Sequence, residues 1–201
     1  DLTYAVIIPS TGRSESLLLR AILSSARQTP EPYLILVADD SSEQCLKRHQ
    51  NNLPNNVKFI QTGGLAGGGR ARNIASRYVV DHCSSVDWLF FLDDDDVWSP
   101  AKMHLVSVVI SKRPEYSFVG TGYALEHCKL EVNKQASIKL LDISNALIFD
   151  NAGVSPSSMG MTVALFKTLK GFDERLSAWQ GRNLFARLAL SGAKALKIKN
   201  R

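Results

Sequence analysis

Trp88-Leu-Phe-Phe-Leu-Asp-Asp-Asp-Asp-Val-Trp-Ser-Pro100 is the stretch that decides how the rest of this chain is read. An apolar run of strand length, Trp88 to Leu92, stops at four successive carboxylates, Asp93 to Asp96. Aromatic and aliphatic residues without alternation predict a strand buried on both faces. Acids at its end then lie at the carboxyl edge of a sheet, where open α/β sheets bind ligands. Two unit charges about 4 Å apart repel by roughly 4 kcal/mol at an effective dielectric near 20, so clustered acids require a partner. A hard divalent cation such as Mg²⁺ or Mn²⁺, shared between one or two carboxylates and a ligand's phosphates, supplies one. The competing reading is a solvated acidic turn ahead of a helix starting near Pro100.

Upstream, Tyr4 to Ile8 reads as a strand that ends in a small-residue loop, Pro9-Ser10-Thr11-Gly12-Arg13. A helix with Ser14 as N-cap follows, closed by Pro30 and Pro32. Tyr33 to Ala38 is a second buried strand, and it too ends on acids, Asp39 and Asp40. A polar helix around Glu43 to Gln50 and a short strand at Val57 to Gln61 come next. The glycine-rich loop Gly63 to Asn73 leads into a helix through about Val80. It fits neither nucleotide-loop pattern: Gly69 and Arg70 follow Gly68 without a lysine, and Arg72 stands where a third glycine would be. Arg70 and Arg72 at a helix start favour an anion all the same. Downstream, the pattern predicts a helix from Pro100 to Lys112 and a strand at Ser117 to Thr121. Short strands and loops over 124–155 precede a strand at Ser158 to Phe166. A turn at Gly171 to Glu174, a helix from Arg182 to Leu190 and a strand at Ala195 to Ile198 complete the chain.

A chain of 201 residues, 45% hydrophobic and 21% charged, has the length and core composition of one α/β domain. Its apolar runs fall short of the roughly 20 residues of a membrane span, and no signal peptide is visible. A first residue Asp1 reads as the start of an excised domain. Cys45, Cys83 and Cys128 are odd in number and lack zinc spacing, which predicts reduced thiols in a cytoplasmic protein. The net charge of +5 suits an anionic small molecule or an anionic membrane surface as well as nucleic acid, and no nucleic-acid motif is present.

Strand–helix alternation implies a mostly parallel sheet with right-handed crossovers. The ends carrying Pro9-Ser10-Thr11, Asp39-Asp40 and Asp93 to Asp96 then share one edge. Small polar groups, a base- or ribose-binding carboxylate and a metal-binding cluster together point to a nucleoside diphosphate held through a divalent cation. In VIIPSTGR, LILVADDSS, GGGRARNIA, WLFFLDDDDVWSP and GFDERL…LFARLALSG, in that order, the chain resembles the family 2 inverting glycosyltransferases of the GT-A-type fold. The resemblance covers nearly all of it. It implies a single domain over 1–201, with 1–100 the nucleotide-binding half and 101–201 the acceptor-side half. Asp93, Asp94 and Asp95 would form the DxD-type motif, with Asp95, helped by Asp93, as the ligand of Mn²⁺ or Mg²⁺. Asp40 would accept a hydrogen bond from the nucleobase, uracil favoured. Pro9, Ser10, Thr11 and Arg13 would line the nucleoside, and Arg72 would contact the nucleotide, although Arg72 and Asn73 fit a structural role equally. The donor would be a UDP-sugar and the acceptor a glycan or lipid-linked sugar. The location would be cytoplasmic, with peripheral attachment to the inner membrane face left open.

The acceptor side departs from the family pattern. Where relatives carry Glu-Asp-x-Asp, this chain has Gln180-Gly181-Arg182-Asn183, so the expected general base is replaced by Gly181. Asp173 and Glu174 are the weak substitutes, with His127 and Asp150 as others, while Trp179 and Gln180 mark the acceptor side. Trp98 and Trp179 fit a sugar wall or a core equally, and His104 reads as surface or core. Two alternatives stay open: a non-catalytic nucleotide-sugar-binding domain, and a nucleotidyltransferase. The latter is disfavoured because its basic glycine-rich loop would directly follow the first strand.

Overall fold

The computed structural model describes residues 2–41, 51–64, 66–122, 138–144 and 153–200. The expected helix over Glu43 to Gln50, most of the 124–155 stretch, and Cys45, Cys128, His127 and Asp150 lie outside these residues. The first half alternates as expected: β1 (Tyr4–Ser10), α1 (Glu15–Ala26), β2 (Leu34–Asp39), β3 (Val57–Gln61), α2 (Gly68–His82) and β4 (Trp88–Phe91). Then come α3 (Lys102–Lys112), β5 (Phe118–Thr121), β6 (Ile138–Asp142), β7 (Met159–Thr162), α4 (Val163–Leu169), α5 (Gln180–Leu190) and β8 (Ala195–Asn200). The strands form one sheet of order β3-β2-β1-β4-β7-β5-β8-β6.

β1, β2, β3 and β4 are parallel neighbours, as are β5 and β8. β7 runs antiparallel between β4 and β5, and β6 antiparallel on the far edge. β1 is buried at every residue and divides its side chains between two cores. Ala5 and Ile7 face Ala71, Ala75 and Val79 of α2 together with α4 and α5. Tyr4, Val6 and Ile8 face Leu18, Ala21 and Ile22 of α1 and Met103, Val106 and Val109 of α3. A strand covered on both faces needs no polar alternation, which is why the sequence shows none.

Three expectations are corrected. Pro9 and Ser10 belong to β1 rather than to a loop, in register with Ala38 and Asp39. Pairing with β4 has ended at Ile7 and Phe91, so the missing N–H of Pro9 interrupts no ladder there. The run from Ser158 to Phe166 is not one strand. The Thr162 hydroxyl accepts the Leu165 N–H at 3.1 Å and starts α4, which buries Leu165, Phe166 and Leu169 on one helical face. The last helix begins at Gln180 rather than Arg182, which places Gln180 and Gly181 in its first turn.

Because β7 is reversed, its start lies at the carboxyl edge of β4. Gly160 pairs with Phe90, and a Cβ on Gly160 would overlap the Phe90 ring. That close approach seats the 3₁₀ turn Pro156–Ser158 beside the acids.

Candidate donor and acceptor site

The ends of β1, β2 and β4 meet at one edge. The Ser10 hydroxyl donates to Asp94 Oδ2 at 2.6 Å, and the Asp93 N–H donates to Ser157 Oγ at 2.9 Å. Trp98 donates its indole N–H to the Ser157 carbonyl at 2.8 Å and packs edge-on against Phe90, so it fills the core instead of walling a pocket. Asp94 is 8% exposed, with Arg13 Nη2 at 3.9 Å from its other oxygen. Thr11, Asp95 and Asp96 are exposed. Among the described residues no group pairs with the Asp95 carboxylate, and no three His, Cys, Asp or Glu side chains converge to hold a metal ion.

Asp40 is 2% exposed and takes three donors from the segment after β3: the Thr62 hydroxyl, the Ala66 N–H at 2.8 Å and the Gly67 N–H at 2.9 Å. A carboxylate accepts about four hydrogen bonds, so the described residues leave one lone pair unclaimed. Asp39 binds Ser41 and Gln61. Asp40 therefore fixes the start of the glycine-rich segment against the sheet edge, while Asp39 ties the end of β2 to β3. Thr62 and Ser157 were missed in the sequence because nothing local marks a hydroxyl whose partner is 22 or 64 residues away.

Arg72 is 9% exposed and forms an ion pair with Asp93 through Nη2. Its guanidinium lies 5.5 Å from the Phe172 ring centre, and its Nε has no hydrogen-bond partner among the described residues. Asn73 is structural: its amide bonds the Phe172 N–H, the Phe172 carbonyl and Glu174. Gly171, at φ 69°, is held so tightly that a Cβ would strike the Asn73 side chain.

The acceptor side is assembled around that clamp. Glu174 binds Asn73 and Arg77. Burial raises its carboxyl affinity for a proton, but those hydrogen bonds and the charges of Arg77 and Arg70 together hold the group below its ordinary value. Asp173 is held at about 2 by hydrogen bonds from the Arg175 side chain and backbone. Asn183 accepts from Arg187, which also caps the end of α4 at the Leu169 and Gly171 carbonyls. Trp179 is 67% exposed with φ 63°, its ring 4.3 Å from the Arg182 guanidinium. Gln180 lies on the start of α2, where a Cβ on Gly69 would meet its Cδ at 2.7 Å. At Gly181 an added Cβ would make only ordinary contacts, with Pro156 at 3.9 Å and Phe185 at 4.0 Å.

Lys102 is a further feature the sequence did not single out. Its ammonium donates to Thr121 Oγ1 at 2.7 Å and lies 4.9 Å from the Trp98 ring centre, and burial lowers its pKa to about 7. His104 is at the surface. A cleft of about 400 Å³ that includes Tyr33, Tyr78, His82 and Cys83 opens at the opposite edge, by the amino end of β2 and the carboxyl end of α2, away from all these acids.

The TarS 1-349 crystal structure from S. aureus in complex with UDP is similar to this chain at a TM-score of 0.72 with 19% identity, over 98% of this chain and 57% of that one. The same protein in complex with UDP-GlcNAc is similar at 0.70 with 18% identity, over 100% and 59%. An uncharacterized glycosyltransferase of Haemophilus influenzae is 32% identical over 117 residues, 57% of this chain and 37% of that protein. The chain thus spans well under two thirds of the length of these relatives. The family model of glycosyl transferase family 2 matches residues 5–167, most of the chain and the whole of the acidic edge, and so the chain belongs to glycosyl transferase family 2.

Proposed function

We propose that this chain is the catalytic domain of a transferase that moves a sugar from a nucleoside diphosphate sugar, UDP favoured, to a glycan or lipid-linked acceptor with inversion. The observation that carries this is the meeting of Asp40, Ser10 and Asp93 to Asp96 at the carboxyl edge of parallel strands, in a family 2 chain. The complexes of TarS with UDP and UDP-GlcNAc support the choice of donor. Asp40 keeps an open lone pair for a base N–H, while Ser10, Thr11 and Arg13 line the nucleoside side.

The residues fit a Mn²⁺ or Mg²⁺ ion. Asp95 offers an exposed hard oxygen ligand that is unpaired among the described residues, Asp93 stands two residues before it, and the remaining positions are of the kind phosphates fill. Bound there, the ion would stabilise charge on the leaving diphosphate. At the start of α5, Gln180 and Gly181 cannot accept a proton at neutral pH, and Asp173 and Glu174 are engaged with arginines. The acceptor therefore meets an unusual base arrangement. A second reading, donor binding without transfer, is favoured by that same observation.

Calorimetric titration with UDP, GDP and dTDP, with and without Mn²⁺, tests the donor site. Mn²⁺-dependent binding of one nucleotide, lost in Asp95→Ala, is expected. Absence of binding by all three overturns the reading. Release of nucleoside diphosphate, rather than pyrophosphate, separates it from nucleotidyl transfer.

A further inference from the structure

We propose that Arg72 is the resident counter-cation of the acidic strand end, seated on Asp93 in the free protein, so that a divalent cation and a nucleoside diphosphate enter the site together. This rests on the donor-site reading above and adds an order of binding to it. Arg72 comes from the first turns of α2, and its side chain is nine-tenths buried. A buried arginine cannot give up its charge, so it must find an anion, and here that anion is the first acid of the motif. The neighbouring Asp94 is also taken, by Ser10 and at longer range by Arg13. Of the four acids, a bare dication would then find the exposed Asp95 and Asp96 unclaimed by a cation among the described residues, with the Arg72 guanidinium on Asp93. Repulsion from that fixed cation opposes the ion.

A second observation points to a missing anionic partner. Arg72 Nε is buried and has no acceptor among the described residues, a state that native proteins rarely tolerate without a ligand or water to relieve it. Gln180 does not relieve it: its amide N–H donates to the Leu176 carbonyl, and its side chain rests on Gly69. Space around the guanidinium is limited, because a Cβ on Gly68 would lie 3.0 Å from Arg72 Nη1. A diphosphate resolves both problems. Its oxygens give Arg72 an alternative to Asp93, and they supply the ligands that the ion lacks once Asp93 is released.

The test is a Mn²⁺ titration followed by electron paramagnetic resonance of the free ion, with and without UDP. It uses the wild type, Arg72→Met and Arg72→Gln, with melting temperatures confirming folding. The wild type should bind Mn²⁺ weakly alone and far more tightly with UDP. Each folded variant should bind Mn²⁺ alone at least about tenfold more tightly than the wild type, with a smaller gain from UDP. If the variants bind Mn²⁺ alone no better while UDP still promotes Mn²⁺ binding in the wild type, the donor site stands and the role of Arg72 falls. Tight Mn²⁺ binding by the wild type without UDP overturns the proposal with no need of a variant. Binding of neither Mn²⁺ nor UDP in any combination removes the donor-site reading, and this proposal with it.

Discussion

Asp40 and Asp94, at the carboxyl edge, are buried and take their closest hydrogen bonds from hydroxyls and main-chain amides. Asp173 and Glu174, on the turn before α5, instead face the guanidinium groups of Arg175 and Arg77. Neutral donors satisfy a carboxylate without cancelling its charge; an arginine cancels it. The edge therefore keeps negative charge to offer a cation, whereas the turn spends its charge on scaffolding. Arg72 and Asp93 stand between the two regimes, an edge acid neutralised in the manner of the turn.

Gly181→Asp challenges that contrast most strongly. The position has room for a side chain, and a carboxylate in the first turn of a helix is favoured. If the acceptor side lacks only its base, sugar transfer should rise roughly a hundred- to a thousandfold, measured as release of nucleoside diphosphate. No gain with any donor sinks that account. Asp40→Ala should cost roughly 3 kcal/mol in urea unfolding, because three donors lose a buried anionic acceptor. A loss below about 1 kcal/mol would mean that the glycine-rich segment is not anchored there. Asp95→Ala should leave stability unchanged and abolish the Mn²⁺-dependent part of nucleotide binding, read by calorimetry.

Lys102 sharpens the comparison through pH. Its pKa in the folded protein is about 7 against 10.5 for a free lysine, so the unfolded chain binds the extra proton more readily between these values. The penalty for burying the charged form is complete below pH about 7 and fades as pH rises toward 10.5. Stability should therefore rise between pH 7 and 9 by at most about 1.4 kcal/mol per unit, and Lys102→Met should flatten that slope. An unchanged slope in the variant assigns it to another group. Asp173→Asn should have the smallest effect, leaving the melting temperature essentially unchanged, since its partner Arg175 is exposed and such an ion pair contributes little.

The parallel core was legible because a strand buried on both faces must be apolar along its length, and because acids such as Asp39 and Asp93 stand only at its carboxyl end, where Asp39 is buried by donors from Ser41 and Gln61. The α4 boundary was misread. Val163 to Phe166 suits a strand by composition, and only the burial of Leu165, Phe166 and Leu169 distinguishes a helix that Thr162 begins. The two tryptophans, equivalent in sequence, separated into core Trp98 and exposed Trp179 according to whether the 3₁₀ turn offered a carbonyl to the indole.

By itself the sequence determined the four parallel strands β1 to β4 with α1 and α2, the edge at which the acids collect, and the loss of the expected base at Gly181. These follow from local hydrophobic pattern and from the identity of single residues. Tertiary structure alone decided which acids are free. The partners that hold Asp40, Asp93 and Asp94 lie 21 to 84 residues away along the chain, close only because parallel strands bring their ends together. Charge is written in the sequence; whether a charge is neutralised depends on who stands next to it in the fold.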